Sequence, residues 1–477
     1  MSKGIIYNLL SRLIFIIGAY AIHIYLSRTL GPEEYGVFGT CIAIITVSYI
    51  FLNNGVRQVV SVSSSKFPDS AKYFLKKGIH VQLAISIILG TLVIIFSKNI
   101  ALFFKDPNLI NPLYLSGIII TIQGLMFIYT GVLNGLERFG KENLVLSTYG
   151  LLRPVFAILL VWMGLKVTGA LGGFLLASII AILLGFILTW NLGSEKHKDT
   201  KLSNILLDSM PIMVIFGSIT IIMNFDLLAV KHFIPDGQFA GYYTSAAAIS
   251  KLSYWFLFSF GSVLLPFVTS SFHKNDIERT KNYVIVIIRA SVIIILPVVV
   301  LFSYYSSDVI QLVYGSNYQP AVDVLKVLMF GLMALGLISI FSHIMIGIGR
   351  EKVMIKYALT GIFTAIVLNI ILIPQVGMLG GAISTTISAS VVALLSYGFI
   401  KKELKLKSNI TSMVKIAVSV LLILLVAYVT NSYKLPFLIM FIALYFVYFL
   451  LLILLQEISS QDILTIKKVM FGSSKKV

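Results

Sequence analysis

The sequence predicts an all-α integral membrane protein of about fourteen transmembrane helices: two parallel-repeat six-helix lobes and two further C-terminal helices. Three observations predict it. Of the 477 residues, 58% are hydrophobic and only 12% charged, with a mean hydropathy of +0.97; soluble domains carry about 25% charged residues. Apolar runs of about 20 residues, the length that crosses a bilayer core, recur along the whole chain. Sequence features of the first half also return about 208 residues later.

In order, the spans read 5–27, 36–60, 79–97, 112–134, 143–165, 169–191, 205–230, 239–265, 283–304, 320–346, 354–373, 377–400, 410–430 and 436–456. Helices are the economical way to satisfy the backbone in lipid. The first run follows Lys3, extends about 23 residues and has no small-residue cleavage site after it, so it reads as a retained span and not a signal peptide. Cys41, the only cysteine, sits in an apolar run; it reads as inert packing and allows no disulfide within one chain.

Lysine and arginine in alternate connections set the orientation. With Lys356, close to the end of its span, counted with the adjoining connection, one set of segments holds 24 and the other holds six: Arg28, Lys98, Lys105, Lys166, Lys231 and Lys434. Both termini are therefore expected in the cytoplasm of a cell-membrane protein. A cationic collar against anionic lipid head groups accounts for most of the +18 net charge without nucleic acid.

The repeat is carried by four features. Gly169-Ala-Leu-Gly-Gly173, opening the sixth span, returns as Gly377-Met-Leu-Gly-Gly381, opening the twelfth, and Pro112 returns as Pro320, both at an offset of 208. Gly140-Lys-Glu142 returns as Gly349-Arg-Glu351 at 209, and Tyr35-Gly36 as Ala240-Gly241 at 205. The expected organisation is an N-terminal lobe over 1–200, a C-terminal lobe over 201–405, and two additional helices with a tail over 406–477. A shift of six spans keeps both lobes in one orientation, and parallel-repeat transporters place the substrate path between such halves. Taken singly, the glycines are equally well explained by close helix packing.

Enzyme chemistry is poorly supported. Gly135-Leu-Glu-Arg-Phe-Gly140-Lys141 fits seven positions of a phosphate-binding loop, but the eighth is Glu142, where a hydroxyl should hold magnesium. The segment also lies between two membrane helices. The six histidines show no zinc-ligand spacing, and neither a paired carboxylate nor a nucleophile motif stands out.

The informative residues are charges inside spans, which cost at least about 2.5–3.5 kcal/mol on insertion scales and mark pathways. Arg12, Arg57, Arg153, Lys251 and Arg289 are cationic, whereas Asp226 is the most conspicuous acid. At ~1.5 Å per residue, Arg12, Arg153 and Arg289 lie roughly 10–14 Å from the cytoplasmic face and Lys251 about 18 Å from the outer one. Their neighbours form polar stripes: Asn8, Arg12, Ala19 and His23; Asn54, Arg57, Gln58 and Ser61; Thr244, Ala247, Lys251 and Tyr254. Such stripes would line a central wet cavity, cationic toward the cytoplasm and suited to a ligand with several negative charges. Arginine's fork suits phosphate in particular. Snorkelling of the long side chains to the interface is the competing account.

Leu26-Ser-Arg-Thr-Leu-Gly31-Pro-Glu-Glu-Tyr35-Gly36-Val-Phe38, Val132-Leu-Asn-Gly-Leu-Glu-Arg-Phe139 and Gly169-Ala-Leu-Gly-Gly173 resemble segments of the polysaccharide flippases, a family of the multidrug/oligosaccharidyl-lipid/polysaccharide exporter superfamily. The resemblance covers nearly the whole chain. It implies two six-helix lobes around a central cavity and alternating access that exports a polyprenyl-diphosphate-linked glycan for surface polysaccharide. The family's cationic cavity is matched by Arg12, Arg57 and Lys251, with Arg153 and Arg289 added by their depth. Spans 13 and 14 resemble the extra pair of lipid II flippases, which leaves lipid II as an alternative substrate. A multidrug antiporter would offer an acid on the first span, which here carries Arg12. No cofactor is expected; the expected partners are the lipid-linked glycan and membrane lipids, with a monomeric chain that could associate with a polysaccharide polymerase. With no nucleotide site, Na⁺ or H⁺ is the expected coupling ion. Asp226, Asn369 and Thr386 resemble a sodium site of lipid II flippases; alternatively Asp226 pairs with Lys231 or a buried cation, and the other two bond between helices.

Overall fold

The computed structural model describes residues 2–193, 202–407, 410–430 and 436–457, the side chains of 2–12 and 202–209 excepted. Arg12 as a side chain, and the tail beyond 457, therefore lie outside the described residues.

Among the described residues, twelve continuous helical runs are long and apolar enough to cross a membrane. Two of them, Leu13–Lys66 and Phe139–Thr189, contain 54 and 51 residues. At ~1.5 Å per residue each would be more than twice the ~30 Å hydrocarbon core. Each is broken near its middle by a glycine in a left-handed conformation, Gly31 at φ 77° and Gly164 at φ 90°. Each run thus passes twice, and the twelve runs supply the fourteen passes expected from hydropathy.

The chain divides into two compact units, Met1–Thr244 and Ser245–Val477. The first contains α1 (Ser2–Phe51), a π-helical turn (Leu52–Arg57), α2 (Gln58–Lys66), α3 (Ala71–Ile95), the short α4 (Ser97–Phe103), α5 (Ile110–Gly135), α6 (Phe139–Leu160), α7 (Lys166–Thr189) and α8 (Leu202–Phe233). It ends within α9 (Gly237–His273). Helix α3 starts eight residues before the apolar run that predicts it, because Lys72, Lys76 and Lys77 end hydropathy without ending a helix. Glycines bring backbones together here. A Cβ on Gly173 of α7 would stand 2.3 Å from the Ala157 nitrogen of α6, and one on Gly36 2.7 Å from the Gly241 nitrogen. Met126, Leu133, Val145, Tyr149, Ala177 and Ala181 join α5, α6 and α7 in one cluster.

The second unit continues with α10 (Ile277–Tyr304), the short α11 (Ser306–Tyr314), α12 (Val322–Gly347), α13 (Glu351–Val376), α14 (Met378–Glu403), α15 (Ile410–Thr430) and α16 (Phe437–Leu454). Here α14 packs against α12 and α13, and α10 against α12, α15 and α16. The repeated glycine motif acts as in the first unit: a Cβ on Gly380 of α14 would meet the Leu372 carbonyl oxygen of α13 at 2.4 Å. The structure extends the repeat to features that hydropathy missed. Short helices α4 and α11 begin at Ser97 and Ser306, and 3₁₀ turns follow at Pro107–Leu109 and Ser316–Ala321.

Apolar side chains cover the outside as well as the inside. Phe363, Ile442, Phe446 and Leu421 are each at least 65% exposed, a surface that only lipid can solvate.

Candidate functional site

In the first unit, Arg57 ends the π-helical turn and faces α5 and α6. Its Nη2 donates to Glu142 Oε1 at 2.9 Å and its Nε to Thr130 Oγ1 at 3.3 Å. The other Glu142 oxygen accepts from Asn134 Nδ2 at 2.8 Å, and Asn134 Oδ1 accepts from Ser61 at 2.9 Å. Close helix approach places these groups: a Cβ on Gly131 would sit 2.8 Å from the Arg57 carbonyl oxygen, and one on Gly135 2.2 Å from that of Ser61. The Arg57 charge is thus balanced by a buried carboxylate. In the sequence Glu142 is a repeat position and the residue that breaks a phosphate-loop pattern; its place as a lone acid at the start of an apolar span is the available signal for this pair.

Arg153, on α6, is placed differently. It is 6% exposed, and its guanidinium carbon lies 4.4, 5.0 and 5.5 Å from the ring centres of Phe15, Phe174 and Tyr149. Two of its nitrogens, Nε and Nη2, have no hydrogen-bond partner among the described residues. A polar chain adjoins it: Gln123 Nε2 donates to the Tyr149 hydroxyl at 2.7 Å and to Ser178 at 3.1 Å, while Tyr49 donates to Gln123 Oε1. Cation–π contact stabilises a desolvated guanidinium by about 2 kcal/mol, less than the several kcal/mol that burying the charge costs. Glu142 and Arg153 are eleven residues apart on α6, about 16 Å at ~1.5 Å per residue, so Arg57 and Arg153 occupy separate clusters.

In the second unit, Lys251 is half-buried on α9, beside buried Tyr254. Arg289 on α10 ties together the C-terminal elements. Its Nε donates to Glu457 Oε1 at 2.9 Å, its Nη2 donates to the Glu457 carbonyl oxygen, and Ser412 donates to the same carboxylate. Asp323 and Lys326 pair within α12 at 2.8 Å.

The expected coupling-ion residues each have local partners. In the first unit Asp226 accepts from the Tyr243 hydroxyl at 2.6 Å and from the Leu227 nitrogen at 2.7 Å. Lys231 pairs instead with Asp106, at 2.5 Å. Five residues at 100° each place Lys231 some 140° around the helix from Asp226; an Asp226–Lys231 pair is geometrically disfavoured. In the second unit Asn369 Nδ2 donates to the Ala365 carbonyl at 2.7 Å, while its buried Oδ1 has no partner among the described residues. Thr386 donates to the carbonyls of Ala382 at 2.8 Å and Val327, on α12, at 3.2 Å.

A family model described as "Polysaccharide biosynthesis protein" matches residues 25–323. The chain is similar to a Shigella flexneri protein named "Putative O-antigen transporter", 23% identical over 78% of this chain and 90% of that one. It is similar also to the "Probable low-salt glycan biosynthesis flippase Agl15" of Haloferax volcanii, 21% identical over 80% of each. Among solved structures, lipid II flippase MurJ in an inward closed conformation aligns over 97% of this chain and 100% of its own, with a TM-score of 0.74 at 18% identity. That likeness establishes the fold.

Proposed function

The chain belongs to the polysaccharide biosynthesis protein family, a family of transporters and not of enzymes, and from that premise we propose that it flips a polyprenyl-diphosphate-linked oligosaccharide from the inner to the outer leaflet of the cytoplasmic membrane by alternating access, for cell-surface polysaccharide. The observation that carries this reading is Arg153, a buried guanidinium with two nitrogens, Nε and Nη2, that have no hydrogen-bond partner among the described residues. A diphosphate supplies the acceptors it lacks, in the geometry its planar fork prefers. Lys251 and Arg12 complete the proposed anion path. Arg57 and Arg289 join it by exchanging Glu142 and Glu457 for phosphate. Asp226, with Asn369 and Thr386, is the proposed coupling-ion set for Na⁺ or H⁺. Lipid II is a second reading, favoured by the match to MurJ over nearly the whole chain, α15 and α16 included.

Topology is tested first. In a Cys41→Ser background, a cysteine at exposed Asp69 should react with an impermeant maleimide only from the cytoplasm, and one at exposed Asn108 only from outside. The reverse pattern would reverse the direction of transport. Flipping is then measured in proteoliposomes holding fluorescent polyprenyl-diphosphate saccharides, with an impermeant quencher reporting the leaflet. Wild type should flip them, and Lys251→Ala should lose at least about tenfold in rate, the scale of one charged contact, at unchanged protein yield. Lys251→Arg should retain part of it. No flipping of any diphosphate-linked saccharide by the wild type removes the reading; preferential flipping of lipid II selects the second one. A rate that ignores an imposed Na⁺ or H⁺ gradient, or an Asp226→Asn variant with its full gradient response, would remove the coupling set.

A further inference from the structure

At one end of the first unit lies a cavity of ≈ 510 Å³ that the anion path does not use. Its walls come from three connections and the helix starts beside them: the break in α1 (Glu33, Glu34), the turn before α5 and its first residues (Asn108, Asn111), and the reversal that opens α7 (Lys166, Thr168). All three belong to the lysine-poor set of connections, so the topology proposed above puts the cavity on the outer face. Its volume lies within the ~300–1,000 Å³ of small-ligand pockets.

The walls are held in place from behind. Lys166 Nζ donates to Glu34 Oε1 at 2.7 Å, from a residue with φ 45°, a conformation rare outside glycine. Asn108 is presented by Asp106, whose Oδ1 accepts from the Asn108 nitrogen at 3.0 Å while its Oδ2 takes the buried Lys231 ammonium. The side chain of Glu33 runs against the close contact of Gly237.

The lining chemistry is mixed. Two carboxylates accept from hydroxyls, two amides both donate and accept, a hydroxyl does either, and one ammonium donates; apolar side chains fill the spaces between. One lysine against two glutamates leaves a net negative charge, which disfavours diphosphate. Neutral polyols with apolar C–H faces satisfy every part of this lining. We propose that this cavity is a saccharide subsite that receives neutral sugar residues of the glycan on the outer side. The identity of the saccharide's source rests on the flippase reading; the ability to bind sugar does not.

The test uses the full chain in nanodiscs, with saturation-transfer NMR on three free neutral trisaccharides, chitotriose, maltotriose and mannotriose, and sodium pyrophosphate followed separately by ³¹P line broadening. At least one saccharide should give a saturable signal, abolished by Asn111→Trp, which fills the cavity from an exposed position, and weakened about tenfold by the near-isosteric Glu34→Gln, the scale of one charge-assisted hydrogen bond. In proteoliposomes Asn111→Trp should slow flipping of a trisaccharide head group and spare a monosaccharide one. Absence of binding by all three saccharides, equal binding to Asn111→Trp, or pyrophosphate binding lost in that variant would overturn the subsite. Saccharide binding that Asn111→Trp abolishes, with no flipping of any head group by the wild type, would leave the subsite standing and remove the flippase reading instead.

Discussion

Asp106→Asn is expected to destabilise the N-terminal unit by about 3–5 kcal/mol, the cost of removing one partner from a buried ion pair. Lys231 is 1% exposed, and its ammonium lies 2.5 Å from Asp106 Oδ2. Neutralising the acid leaves a buried cation with its main partner gone, and it also weakens the cap on the Pro107–Leu109 turn. Lys231→Met should cost a similar amount, for the converse reason. The double variant Asp106→Leu with Lys231→Met should recover much of the loss, because replacing both members with apolar groups removes the desolvation penalty together with the attraction. Cys41, buried and the only cysteine, provides the readout: its reaction with a thiol-reactive fluorophore during a temperature ramp reports unfolding. A melting temperature unchanged by Asp106→Asn would show that the pair contributes nothing to stability.

That pair marks the boundary of what could be read from the sequence. Hydropathy located every pass, because lipid imposes length and apolarity on each helix separately, and no partner need be known. Length alone called for a break in each long run: the expected gap at 28–35 contains Gly31, whereas the one at 166–168 falls just after Gly164. Short helices α4 and α11 escaped because seven to nine residues carry no membrane-length signal. The ion pairs escaped for a different reason. Arg57 and Glu142 are separated by 85 residues, Lys231 and Asp106 by 125, and Arg289 and Glu457 by 168. Charges far apart in the chain are joined only by packing, so the sequence showed cations in spans without showing which were already balanced. The aromatic cage of Arg153 is equally nonlocal: only Tyr149 lies on its own helix, one turn away, and the cage draws Phe15 from α1 and Phe174 from α7.

The distinction between a balanced and an available cation yields the second large effect. Arg57→Ala strands Glu142, whose side chain is 4% exposed, and should cost about 3–5 kcal/mol. Glu142→Gln should cost less, because Arg57 is 21% exposed and can reach water. Stability loss alone would explain a transport defect in Arg57→Ala, so the informative variant is the double, Arg57→Met with Glu142→Leu. It removes both charges, keeps most of the volume where the π-helical turn meets α5 and α6, and should return the unfolding free energy to within about 1.5 kcal/mol of wild type, the scale of volume-conserving swaps. If Arg57 exchanges its carboxylate for the substrate's phosphate, flipping in this folded variant should remain at least about tenfold below wild type, since no cation is left there to make the exchange. Recovery of stability and flipping together would make Arg57 a structural residue and leave the proposed anion path to Arg153, Lys251, Arg12 and Arg289.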